Sequence, residues 1–327
     1  MSEKAIKLVF LALAAALAVG LIGRMGAPER TATPLPVEPK DITLPTGLPV
    51  PTPPTEAPPQ AAPERRNPAP PPPAPAPAAR ELPAPAPTPP ESTLSDREFY
   101  ERYAPAVIQI FCLGKQELFS ASGIVVNGRG LVLTNAHVAD VIKKTGQENC
   151  QARHGNPAEP FAGLEIVFVA DTAPKIPETE VPQRDIAFLR LVEPRAAFAV
   201  APIRFATAEI GETLYTLGYP SEFLEGAAAS ANSNLVFSVL RVDNYADIDD
   251  ELATAEGYVF RGGIVLQQGS SGTAVFSRSG GVLGIIFATT KGATTADREG
   301  VALTTSYIDR MMRLEVGRGL AEFIASH

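Results

Sequence analysis

The sequence has only two cysteines and three histidines among its 327 residues. So few thiols and imidazoles argue against a metal centre. Cys112 and Cys150 match no metal-ligand spacing, and His137, His154 and His327 are the only imidazoles on offer. No basic run with interleaved aromatics occurs, and the net charge is −8, which excludes a nucleic-acid surface of the usual kind. Aromatic residues are missing from Pro28 to Pro90, while 24 of the 33 prolines fall there. Such a stretch cannot bury enough apolar surface to offset its ordering entropy, so it reads as a disordered, Pro/Ala-rich linker over 28–94. At about 3.1 Å per residue in extended polyproline form, it reaches at most about 190 Å.

What is present divides into a targeting element and a globular part. Lys4 and Lys7 precede an unbroken apolar run from Leu8 to Gly23, and Arg24 follows. That length lies between a signal-peptide core and the roughly 20 residues of a full span. Residues 1–27 therefore read as an uncleaved signal anchor or as a signal peptide cut after Ala16-Leu17-Ala18. Either sends the remainder across a membrane. Two cysteines suit an exported chain. Cys112 and Cys150 either pair, closing a loop of about 38 residues worth about 4 kcal/mol, or stay as two buried thiols.

Residues 95–327 are rich in Val, Ile, Leu, Phe and Gly, enough for one domain with a sizeable core. Ser95-Asp96-Arg97-Glu98 has the spacing of a capping box, which predicts a helix through Tyr103. Ten strand-like runs follow: Ala106–Leu113, Leu118–Asn127, Leu131–Thr134, Leu164–Ala170, Ile186–Val192, Thr213–Leu217, Asn234–Val242, Tyr258–Arg261, Thr273–Phe276 and Val282–Ala288. Asn127-Gly-Arg-Gly130 between the second and third reads as a hairpin turn. Many short strands with glycine turns predict an all-β barrel or sandwich. Ile308, Met311, Met312 and Val316 recur at helical spacing and predict a C-terminal helix.

The chemistry concentrates in three places. His137 follows an apolar strand, Asp185 stands ahead of another, and Ser271 lies between glycines in Gly269-Ser-Ser-Gly-Thr-Ala274. Serine is a weak nucleophile that needs an adjacent base, and the base needs a group to hold its tautomer. The order His, Asp, Ser is that of chymotrypsin-type triads, not of subtilisins or α/β-hydrolases. A GxSxG elbow fails, because position 273 is Thr. Asp140 and Asp171 are rival acids. Gly269 allows a tight turn that aims the Gly269 and Ser271 amides at one point, an oxyanion hole.

Six segments carry a resemblance: Ser122-Gly-Ile-Val-Val126, Leu133-Thr-Asn-Ala-His-Val138, Asp185-Ile-Ala-Phe-Leu189, Leu217-Gly-Tyr-Pro220, Gly269-Ser-Ser-Gly272 and Gly284-Ile-Ile286. In that order the chain resembles the trypsin-like serine protease family, nearest its bacterial exported, HtrA-like branch. The resemblance implies an all-β fold of two packed six-stranded antiparallel barrels, with the site in the cleft between them. It implies a serine endopeptidase acting on exported or envelope proteins, with His137 as base, Asp185 as orienting acid and Ser271 as nucleophile. Gly269 and Ser271 become the oxyanion donors, and no metal or organic cofactor is needed. It implies a protein or peptide substrate, while the N-terminal segment predicts an inner-membrane attachment with a periplasmic domain, or secretion if that segment is cut. Oligomeric state is left open.

The chain departs from the family at Ser270, where an Asp or Asn is usual, and at Thr273-Ala274, where Gly-Pro is usual. These departures keep a rival open, a catalytically inactive module that binds peptides or acts as a scaffold. A structural envelope protein whose working part is the linker is a further rival. HtrA relatives carry PDZ domains after the peptidase, and none is expected within the residues after 310. By the resemblance Val265 lies at the base of the primary substrate pocket and Phe287 along its wall, which favours small or apolar side chains over Lys or Arg.

Overall fold

A computed structural model describes residues 94–327, apart from 115–117, 177–180, 222–232, 250–254, 268 and 291–293. The segment at 1–27 and the linker at 28–94, save Leu94, lie outside the described residues. Among the described residues no helix is long and apolar enough to cross a membrane.

The described elements run α1 (Asp96–Tyr103), β1 (Val107–Leu113), β2 (Leu118–Val125), β3 (Leu131–Thr134) and α2 (Ala136–Thr145). Then come β4 (Cys150–His154), β5 (Glu159–Val169), β6 (Ala187–Val192), β7 (Thr213–Gly218), β8 (Val236–Ala246) and β9 (Gly257–Arg261). The chain ends with β10 (Ala274–Phe276), β11 (Val282–Thr289), β12 (Glu299–Thr304), α3 (Thr305–Val316) and α4 (Leu320–Ser326). The strands close into two antiparallel barrels, ordered β1-β2-β3-β6-β5-β4 and β10-β11-β12-β9-β8-β7. Closure leaves no exposed sheet edge around either ring. The barrels expected from the resemblance are thus observed.

Two strands, β4 and β12, escape the sequence reading. Cys150-Gln-Ala-Arg-His154 and Glu299-Gly-Val-Ala-Leu-Thr304 carry polar residues or glycine where an isolated strand would show an apolar run. Both are held by their neighbours on the two sides, β4 by β1 and β5, β12 by β11 and β9. In the first ring Cys112 faces Cys150 across the β1–β4 ladder, and the two form a disulfide. The alternative of two buried thiols is therefore set aside.

Three buried apolar clusters organise the packing. One fills the first barrel, with Ile108, Ile110 and Leu189. Another fills the second, with Leu240, Phe260 and Ile286. The third joins the barrels and the terminal helices, including Phe99, Phe188, Tyr215, Phe276 and Phe323. The capping box sets the start of α1: Glu98 N donates to Ser95 Oγ at 3.3 Å, and Ser95 N donates to Glu98 Oε2 at 3.0 Å. That start directs Phe99 inward, fully buried, with ring centroids 4.6 Å from Tyr215 and 5.1 Å from Phe276. Phe99→Ala should therefore lower stability by about 3–5 kcal/mol. A urea unfolding curve checks this; a loss under about 1 kcal/mol would mean α1 is not part of the cooperative core.

Helix α3 closes the C-terminal side. Tyr307 Oη donates to Gln183 O at 3.1 Å, and Arg184 pairs with Glu315 at 2.8 Å. Burial pushes the Tyr307 phenol well above its ordinary range, so it stays a donor. These bonds fasten the two residues that precede Asp185. Helix α4 returns to the first barrel, where Phe323 lies 4.8 Å from the Phe188 ring and Asn127 Nδ2 donates to Ile324 O at 2.9 Å.

Candidate active site

Antiparallel pairing brings the first two groups together. β3 and β6 are neighbours, with Thr134 opposite Ala187. Residues just after β3 and just before β6 therefore emerge at the same end of the ladder. His137 lies just after β3, in the first turn of α2, and Asp185 lies just before β6. Asn135, the residue at the N-cap of α2, makes no capping bond with its side chain. Instead its Nδ2 reaches across and donates to Asp185 O at 2.9 Å. α2 runs for ten residues, from Ala136 to Thr145.

The Asp185 carboxylate is 1% exposed and engages His137 twice. Oδ1 accepts the His137 backbone N–H at 2.9 Å, and Oδ2 lies 2.6 Å from Nδ1. Two bonds from one residue fix both the position and the plane of the imidazole. The other ring nitrogen, Nε2, lies 2.8 Å from Ser271 Oγ. The His137 side chain remains 36% exposed, open on the side that faces solvent. The rival acids do not approach: Asp140 is bonded to Lys143 at 3.2 Å, and Asp171 caps the Ala173 amide at 3.0 Å. His154 ends β4 beside Phe161, and burial pushes its imidazole below the usual range.

Ser271 comes from the loop before β10, in the second barrel, and is tied to the first. Its carbonyl accepts the Ser122 amide at 2.8 Å. Gly272 N–H donates to Ile286 O at 2.9 Å, and Thr273 N–H to Ser270 O at 2.9 Å. Gly272 has φ +78°, and a Cβ there would overlap Ser122 O and Thr134 Oγ1. Only glycine fits where the two barrels meet behind the serine. Gly269, with φ +87°, passes equally close to Ser221. Among the described residues, the Gly269 and Ser271 amides donate to no acceptor. Ser270 is fully buried, and its Oγ lies 3.5 Å from the Gln267 amide, turned into the loop.

Several positioning groups were not singled out from sequence. Ser122 Oγ accepts from Tyr219 N at 2.8 Å and from Thr273 Oγ1 at 3.3 Å, while Thr134 Oγ1 donates to Ser122 O at 2.8 Å. Ser122, Thr134 and Asn135 sit inside the segments already picked out for their pattern, which was the available signal. Thr273 in particular fills the place of a usual glycine with a hydroxyl that has a partner. Val265 is fully buried in the second barrel together with Leu266. Phe287 lines a cavity of about 330 Å³ whose walls do not include Val265.

A model of the trypsin-like peptidase domain matches residues 121–285. No curated protein matches the sequence. Solved structures similar to this chain include the Rv3671c protease of M. tuberculosis in its active form, at 21% identity and TM-score 0.47, over 72% of this chain and 94% of that one. The serine endoprotease of Yersinia pestis aligns at 20% identity and TM-score 0.48, over 70% of each chain. The MamO protease domain of Magnetospirillum magneticum aligns at 18% identity and TM-score 0.45, over 64% of this chain and 96% of that one.

Proposed function

This chain belongs to the trypsin-like peptidase family and is a serine endopeptidase, and from that premise we propose that Ser271, His137 and Asp185 are its catalytic triad. The observation that carries this reading is the unbroken line of short contacts, Asp185 Oδ2 to His137 Nδ1 at 2.6 Å and Nε2 to Ser271 Oγ at 2.8 Å. Both lie within the reach that proton transfer requires.

Ser271 Oγ attacks the peptide carbonyl as Nε2 takes its proton. Asp185 keeps the Nδ1–H tautomer and stabilises the imidazolium. The Gly269 and Ser271 amides donate to the oxyanion that forms. His137 then passes the proton to the leaving amine, and a water molecule hydrolyses the acyl-enzyme by the reverse route. No step calls for a metal or an organic cofactor.

The substrates in this reading are exported or envelope proteins. The apolar run Leu8–Gly23, followed by the proline-rich tract, would hold the peptidase outside a bacterial inner membrane on a long tether. Position 265 carries no acid, and small or apolar side chains suit the primary pocket better than Lys or Arg.

The test is covalent labelling of the full chain with a fluorophosphonate probe, followed by peptide mapping. The expected adduct is on Ser271 alone, and heat-unfolded protein is not labelled. A folded protein that takes no label, or takes it on Ser270, would sink the assignment.

A further inference from the structure

The cavity beside Phe287 is walled mainly by apolar side chains, among them Ile176, Val181, Ile248, Phe287 and Val301. It adjoins the Ser271 loop through β11. Ile286 exchanges backbone bonds with that loop, accepting from Gly272 N–H and donating to Thr273 O, each at 2.9 Å. Phe287, Ala288 and Thr289 follow at once and line the cavity. A polypeptide whose scissile carbonyl sits at Ser271 and whose chain runs along β11 would pass this opening.

Ile248 forms part of the wall without support from the sheet. The β8–β9 ladder ends at the pair Ala246–Gly257, so Asp247, Ile248 and Asp249 lie beyond it. The Ile248 and Asp249 amides are satisfied instead by one side chain. Glu256 Oε2 accepts Ile248 N–H at 2.6 Å and Asp249 N–H at 3.0 Å. Glu256 is fully buried, and its own carbonyl accepts Thr304 N–H at 2.9 Å, so its backbone is fixed to β12. Arg310 of α3 donates to the other Glu256 oxygen and, at 2.8 Å, to Asp249. The carboxylates of Asp247, Asp249 and Glu256 lie within 4.8 Å of one another. The guanidinium is the cation that offsets this cluster.

We infer that Glu256 is a specificity-positioning residue: backed by Arg310, it holds Ile248 in place and so sets the width of a cavity that receives an apolar side chain of the substrate, away from the scissile bond. This rests on the proteolytic reading of Ser271.

The experiment compares the full chain with its Glu256→Ala, Glu256→Gln and Ile248→Phe variants. The substrates are quenched fluorescent peptides in which each position around the cut is Leu or Gly in turn. At one position the wild type should prefer Leu through KM. Glu256→Ala should raise KM for that Leu peptide about tenfold, the scale of one misfitted apolar contact, and change the Gly peptide less than about twofold. Glu256→Gln keeps an acceptor for the two amides and should recover most of the preference. Ile248→Phe narrows the cavity and should disfavour Leu even if the Glu256 variants fail to fold. A uniform change in all peptides, or a Leu preference untouched by both Glu256→Ala and Ile248→Phe, overturns the inference while leaving the triad standing. A wild type that neither cleaves nor takes the fluorophosphonate label overturns both readings.

Discussion

Ser271→Ala should lower kcat by on the order of 10⁶-fold, close to what removing the whole triad would do, because the three groups act as one unit. Without Oγ, the proton acceptor at 2.8 Å has nothing to activate. A small residual rate should survive, since the amides of Gly269 and Ser271, the proposed oxyanion donors, are still there. The fold should be nearly untouched. The substitution removes one hydrogen bond at a partly buried position, worth about 1 kcal/mol. Steady-state hydrolysis of an unfolded protein, read beside a thermal unfolding curve, separates these effects. A variant that retained more than about a hundredth of the wild-type rate would show that another group does the chemistry. The buried Ser270 would then be the first to examine.

Asp185→Asn should lower kcat by about 10⁴-fold with little change in backbone geometry. The reason lies in the two bonds that Asp185 accepts. His137 presents a backbone N–H to Oδ1 and Nδ1 to Oδ2. An asparagine keeps its single oxygen for the N–H, which can only donate. Its NH₂ group then faces Nδ1 and forces that nitrogen to accept. The ring proton moves to Nε2, which can no longer take a proton from Ser271. Nitrogen NMR of the imidazole should report the changed tautomer, an effect that simple loss of stability would not produce. A loss below about tenfold, or an unchanged tautomer, would count against Asp185 as the orienting acid.

The barrel fold was legible because most of its strands are buried on at least one side and bounded by turns. Asn127-Gly-Arg-Gly130 did turn β2 into β3, with Asn127 Oδ1 accepting the Arg129 and Leu131 amides at 3.0 Å each. Ser95 and Glu98 did cap α1. The two strands that were missed, Cys150–His154 and Glu299–Thr304, show where local pattern stops being informative. Their side chains do not announce a strand, and neighbours on both flanks impose one. The same limit applies to Glu256. In sequence it is one acid among 36 Asp and Glu residues. Only the folded chain buries it under two amides that the sheet leaves behind.

By itself the sequence determined which side chains are available for chemistry: one histidine after an apolar strand, one aspartate before another, and two adjacent serines between glycines that permit positive φ. Chain order narrowed these to a type of site. Tertiary structure alone decided how they meet. The β3–β6 pairing delivers His137 and Asp185 to one end of the first barrel, although 48 residues separate them. The Ser122–Ser271 backbone bond brings in the second barrel. The turn around Gly272 then points Ser271 at the imidazole and leaves Ser270 buried in its own loop. A hydrogen bond of 2.8 Å tolerates little displacement, and that precision comes from two closed sheets packed on each other, which local residue preference cannot specify.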